Sequence, residues 1–189
     1  MEPTNLRAFA DAAALDAWLK EHHQSATELW AHLFKKDSGT PSVDWNDLVI
    51  AGLTWGWIDG VRKSVDAKSF VQRMTPRRAR STWSKKNCDH AERLIALGHM
   101  QPAGLAHVNA AKADGRWERA YSGSKEMVIP EEFLTALQKN PAAQKFYESL
   151  SRANIFAIYH RVVTPKKPET RAKRITAIIE QLARGEKFH

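Results

Sequence analysis

The chain has 189 residues, enough for one domain or a domain with a small appendage, and its 43% of hydrophobic residues excludes wholesale disorder. Its one cysteine, Cys88, excludes an internal disulfide and points to a reducing compartment, so the cytoplasm is the expected location. The net charge of +8 is concentrated: residues 59–86 hold nine basic and two acidic residues, residues 161–189 hold eight and three, and residues 87–160 balance.

In chain order, residues 11–23 read as a helix, with Leu15, Trp18 and Leu19 at helical spacing. Residues 28–34 alternate as a strand does, with Leu29, Ala31 and Leu33 on one side. After turn chemistry at residues 37–41, Asp44 stands as an N-cap with Asp47 three residues later. The spacing predicts a helix from there to about Asp59, stopped by Gly60. On it, Trp45, Leu48, Val49, Gly52, Gly56 and Asp59 would share a side, the two glycines admitting a close backbone.

Residues 61–77 predict a hairpin about Asp66 and Ala67 that pairs with the earlier strand and ends at Pro76. Helices follow at 84–97 (stopped by Gly98), 102–113, from Pro130, from Pro141, at 155–163 and at 169–184, where Gly185 ends the last. No repeat or long linker divides the chain. The expected fold is α+β and predominantly α-helical: a small antiparallel sheet packed by several helices. It reads as a single domain over 1–189, with an N-terminal α/β part to about residue 80 and a helical part from about residue 81. The longest apolar runs, 48–58 and 155–163, fall short of the ~20 residues of a membrane span, and neither a span nor a signal peptide is expected.

Residues 54–87 are the densest unusual stretch, with three tryptophans and, before Ser84, seven Arg or Lys. Guanidiniums beside aromatic rings can grip and stack on an anionic ligand. Asp59, at the end of an apolar stripe, needs a partner, for which Arg62, Arg73, Arg77, Arg78 and Arg80 are candidates; the alternative is that it caps the turn into Gly60 and holds one arginine in place. Ser84 and Asn87 would face inward at a helix start, where free N–H groups hold anions, and Arg77, Arg80 and Ser81 lie just before it. A serine there could also be only a cap. Cys88 faces inward too, as a packed thiol would, although Lys85 and Lys86 are near. In the last helix, Arg171 shares the side of Ile175, Ile178, Ile179 and Leu182 and needs a carboxylate, from Asp59 or a neighbouring helix. The candidate ligand-binding residues are thus Trp57, Asp59, Arg73, Arg77, Arg80, Ser81, Trp83, Ser84, Asn87 and Arg171. No histidine pair has metal-ligand spacing, and neither a phosphate loop nor a nucleophile elbow occurs, so no metal, cofactor or catalytic residue is implied.

The segments WGWIDG, RMTPRRARSTWSKKN, AERLIALGHMQPAGLAHVNAAKADGRWERAY and KKPETRAKRI together resemble the YdeI/OmpD-associated, or bacteriocin-protection, family from about Trp30 to the last helix. The resemblance marks Trp57, Asp59, Gly60, Pro76, Arg77, Arg80, Ser81, Trp83, Ser84, Asn87, Gly115, Arg116, Trp117, Tyr121, Lys167, Thr170, Arg171 and Arg174. It implies a small bacterial intracellular protein linked by name to bacteriocin tolerance and to an outer-membrane porin, with no reaction attached. The charge of +8 argues against direct capture of cationic peptides. The leading expectation is a non-enzymatic, stress-associated protein that holds an anionic small molecule or an acidic protein surface on its arginine-rich segment. On that reading Arg77→Ala or Arg80→Ala abolishes binding and leaves the melting temperature nearly unchanged. The rivals are a nucleic-acid-binding protein, an enzyme using Asp59 beside an arginine-bound anion, and an adaptor whose basic blocks are solvated faces.

Overall fold

The computed structural model describes residues 5–188. The chain divides into two compact units, Met1–Ser81 with Asn87–Glu118, and Thr82–Lys86 with Arg119–His189.

The first unit is built on a mixed four-stranded sheet, in the order β1 (Leu6–Ala8), β2 (Leu29–Phe34), β4 (Ser69–Pro76), β3 (Trp57–Ser64). The antiparallel expectation holds for β2, β4 and β3, but β1 lies parallel to β2. The reason is connectivity. The helix α1 (Ala12–His22) crosses between β1 and β2, and a crossover returns the chain in the same direction. Three residues are also too few to show alternation. Asp11 starts α1 by accepting a 2.8 Å bond from Ala14 N. Leu29, Ala31 and Leu33 line one face of β2 and are buried against Leu15, Trp18 and Leu19 of α1. Each such leucine contributes roughly 1.5–3 kcal/mol on burial.

After a 3-10 turn at Lys36–Ser38, Asp44 and Asp47 form a reciprocal capping box that opens α2 (Trp45–Trp55). The helix expected to reach Asp59 ends four residues earlier. Gly56 adopts φ 76° and its N–H closes on Gly52 O and Leu53 O, a left-handed cap that only glycine adopts without strain. Trp57, Ile58 and Asp59 then pair with Pro76, Thr75 and Met74, so WGWIDG is a helix cap running into a strand. Register shifts between Asp59 and Arg62, where Gln72 Nε2 donates to Gly60 O at 2.8 Å. The hairpin tip is where the sequence places it, with Asp66 Oδ1 accepting from Lys68 N at 2.7 Å. Helices α3 (Lys85–Ala96, its first two residues in the second unit) and α4 (Pro102–Ala113) follow. A Cβ added at Gly56 would lie 2.9 Å from Ala103 O, so α4 approaches the end of α2 backbone to backbone.

The second unit carries α5 (Glu131–Gln138), α6 (Pro141–Glu148), α7 (Arg152–Val163) and α8 (Pro168–Ala183). Their core joins Phe133, Leu137, Ala143, Ile158 and Val162 to the expected α8 stripe of Ile175, Ile178, Ile179 and Leu182. The Trp83–Lys85 segment pairs with Tyr121, whose N–H donates to Trp83 O at 3.0 Å and whose carbonyl accepts from Lys85 N at 2.9 Å. Among the described residues, no helix is long and apolar enough to cross a membrane.

Candidate functional site

Where β4 leaves the sheet, the chain makes a tight turn through Arg77–Ser81. Ser81 N donates to Arg78 O at 2.9 Å, and Ser81 Oγ accepts from Arg78 N at 3.1 Å. The turn is also held from outside, because Arg116 Nη1 donates to Ser81 O at 2.8 Å while its Nε is paired with Asp114 at 2.7 Å. Between this turn and the start of β3 lies a polar cleft of about 350 Å³. Asp59, Gly60, Arg73, Thr75, Arg78 and Ser81 line it, with Thr27, Ile58 and Pro76.

The charges of the cleft are unequal in commitment. Arg73 Nε donates to Glu28 Oε2 at 2.7 Å, so one of its five N–H donors is given to an internal carboxylate. Asp59 Oδ2 accepts from Trp45 Nε1 at 3.0 Å, and among the described residues it makes no ion pair, with none of the five arginines proposed for it. Arg78 is exposed at the rim and has no carboxylate partner among the described residues. The cleft therefore offers one uncommitted guanidinium, one oriented carboxylate and the hydroxyls of Thr27, Thr75 and Ser81. Such a set has the donors and acceptors to pair with a small polar molecule that carries an anionic group and a donor.

Three of the residues named from sequence meet here: Asp59, Arg73 and Ser81. Trp57 sits in the core at 1% exposure, its Nε1 donating to His23 O at 3.1 Å and its ring edge-on to Trp18 at 6.0 Å. Arg77 is buried at 4% exposure, and its N–H donates to Gly56 O at 2.8 Å. Its charge helps hold the His107 imidazole below the ordinary value, after burial and ahead of Arg116. A buried guanidinium is costly to remove, so the burial of Arg77 predicts a lowered melting temperature for Arg77→Ala in place of the nearly unchanged one expected from sequence. Arg80 is exposed and outside the cleft; Asn87 is half-buried on α3.

Trp83 (buried, 2% exposed), Ser84 and Arg171 belong to the second unit. Arg171 Nη1 donates to Glu132 Oε1 at 3.0 Å, which meets the expectation of a carboxylate from a neighbouring helix. Cys88 is buried, and burial pushes its thiol up to about 12, with Asp89 and Glu92 adding to the rise. Sequence reading passed over Thr27 and Thr75, and named Arg78 only as a partner for Asp59 and not as part of the site. Only Arg78 carried a signal, as one of five arginines near Asp59. The threonines come from segments that the sheet brings together.

Residues 7–107 match the family model described as a domain of unknown function (DUF8412). Residues 126–185 match the model described as bacteriocin-protection, YdeI or OmpD-associated. The family resemblance read from about Trp30 onward is thus matched over the C-terminal helices, and the sheet-bearing part matches a separate model. No curated protein and no solved structure matches the chain.

Proposed function

From a chain that belongs to the family described as a domain of unknown function and carries a bacteriocin-protection, YdeI or OmpD-associated region, we infer a binding protein for a small polar anion. The ligand occupies the cleft between the Arg77–Ser81 turn and β3, its acidic group on Arg78 and its donor on Asp59. One observation carries this reading. Among the described residues, Asp59 and Arg73 each have an internal partner, whereas Arg78 has no carboxylate partner and stands at the mouth of a space large enough for a small metabolite. The mixed charge of the lining favours a zwitterion or a hydroxylated phosphate over a polyanion, because Asp59 repels a continuous run of phosphates. The match of residues 126–185 to the bacteriocin-protection model supports placing that binding in bacteriocin tolerance.

The test is a thermal-shift and calorimetric screen of amino acids, dicarboxylates, sugar phosphates and short single-stranded oligonucleotides at two salt concentrations. A ligand at a hundred times its Kd stabilises the fold by about 2.7 kcal/mol. The expected result is one polar anion that stabilises the wild type and not Arg78→Gln. If Arg78→Gln responds as the wild type does, or only oligonucleotides act with a steep salt dependence, the proposal is overturned.

A further inference from the structure

The second unit holds a pair of arginines without acids. Arg161 comes from the end of α7 and Arg174 from the middle of α8, and both line a pocket of about 390 Å³ with Ala177, Ile178, Gln181 and Phe188. Neither makes an ion pair among the described residues, although Arg171, one turn earlier, is matched by Glu132, and Arg184 by Glu186. Both are nevertheless positioned. Arg174 Nη1 donates to Arg161 O at 3.0 Å and to Thr164 Oγ1 at 3.3 Å, while Arg161 Nη1 donates to Ala157 O at 3.2 Å. The Arg161 guanidinium lies 4.7 Å over the Phe188 ring, and that ring is placed by the bond from Phe188 N to Asn154 Oδ1 at 3.1 Å. These contacts use neutral acceptors, which orient a cation without cancelling its charge.

We propose that this pocket is a second ligand site, which takes a small anion carrying an apolar or aromatic group. The two guanidiniums clamp the anionic head, and Ala177, Ile178 and Phe188 receive the tail. Two like charges held together by neutral carbonyls oppose folding by mutual repulsion, and an anion between them removes that repulsion. The same two charges act on His160, whose imidazole is held below its ordinary value by burial first and by Arg161 and Arg174 after it. The site lies wholly in the second unit and does not rest on the cleft at Arg78.

The experiment titrates the full chain with phenyl phosphate, benzoate and inorganic phosphate, by calorimetry and by backbone amide NMR. Phenyl phosphate is expected to bind saturably in the millimolar range or better, and inorganic phosphate more weakly. Arg161→Gln and Arg174→Gln should each lower phenyl phosphate affinity about tenfold. Phe188→Ala should shrink the advantage of phenyl phosphate over inorganic phosphate. Lys173→Gln, on the exposed side of α8, should bind as the wild type does. If an arginine variant fails to fold, the wild-type spectra decide: shifts centred on Arg161, Arg174 and Phe188 support the site, and shifts centred elsewhere overturn it. Absence of saturable binding, or an equal loss in Lys173→Gln, also overturns it.

Discussion

Trp45 Nε1 donates a 3.0 Å hydrogen bond to Asp59 Oδ2, tying the first turn of α2 to the third residue of β3. The indole is 41% exposed, so its burial contributes less than that of a core tryptophan. Trp45→Phe keeps a ring and deletes the donor. It is expected to cost about 1 kcal/mol in urea unfolding, the ordinary net worth of such a bond. It should also weaken the cleft ligand, because the carboxylate loses the group that aims it. Affinity equal to wild type in Trp45→Phe would show that Asp59 is not oriented for binding.

Arg77 and Arg78 are adjacent in sequence and opposite in consequence. Arg77 is buried and Arg78 is exposed at the cleft. Arg77→Ala removes a buried charged side chain and leaves a void in its place, a loss expected at about 1–3 kcal/mol. Arg78→Ala should fall within about 0.5 kcal/mol of wild type. Thermal melts of the two variants check this, and equal melting temperatures would contradict the burial argument.

The contrast between these neighbours marks how far the sequence was legible. Helical periodicity found α1 and the α8 stripe, because each buries one face of a regular helix and the spacing survives in the letters, while Pro102 marked the start of α4. Asp44 and Asp47 were readable because a capping box is a local reciprocal contact. The end of α2 was not. Periodicity carried the helix past Gly56 to Gly60, since both glycines could stop it and only pairing of Trp57 and Ile58 with Pro76 and Thr75 decides between them. Inside the arginine run, composition signals a cationic segment, but burial of Arg77 and exposure of Arg78 depend on where β4 leaves the sheet. The cleft follows the same logic, since Thr27, Asp59 and Ser81 are joined by strand pairing and not by spacing.

Gly104 marks a close approach between α4 and the end of α2. A Cβ there would overlap the carbonyl oxygens of Leu53 and Thr54 and approach Met100 Sδ at 2.6 Å. Two of the three obstacles are backbone at the end of α2 and cannot rotate away. Gly104→Ala is therefore expected to cost about 3 kcal/mol, the upper end of ordinary overpacking. Gly98→Ala is the control. Its left-handed φ of 70° opens on space with nothing within 4 Å, so only the backbone strain of about 1–2 kcal/mol applies. Urea unfolding should rank Gly104→Ala below Gly98→Ala, and the reverse order would refute the close packing of α4 on α2.

Two histidines make stability sensitive to acid. His107 and His160 both titrate below the ordinary 6.5, burial being the largest cause in each. A depressed imidazole favours the neutral form in the fold. Above about 6.5 folded and unfolded chains are both neutral there, and the stability is fully present. As pH falls through 6.5 the unfolded chain takes up protons first, and the loss continues until the folded imidazoles protonate. Urea midpoints should be level between pH 7 and 8 and decline from about pH 6.5 towards pH 5. His107→Gln and His160→Gln should each flatten that decline, and an unaltered slope in both would exclude these groups as its source.

Cys88 tests the burial of α3 directly. Lys85 and Lys86 lie close in sequence, yet burial, Asp89 and Glu92 prevail over Arg77 and Lys112 and push the thiol up to about 12. At pH 8 roughly 10⁻⁴ of such a thiol is ionised, against a substantial share of an ordinary cysteine, and the thiolate is the reactive form. Native protein should therefore resist iodoacetamide at pH 8 for hours by intact mass, while protein in concentrated urea gains one adduct at the rate of a free thiol. The native rate should rise in Gly104→Ala, whose α4 no longer seats fully against α2 and opens the unit more often. Prompt single labelling of the folded wild type would mean that Cys88 is accessible and that α3 does not bury the face on which Cys88, Ala91 and Leu94 lie.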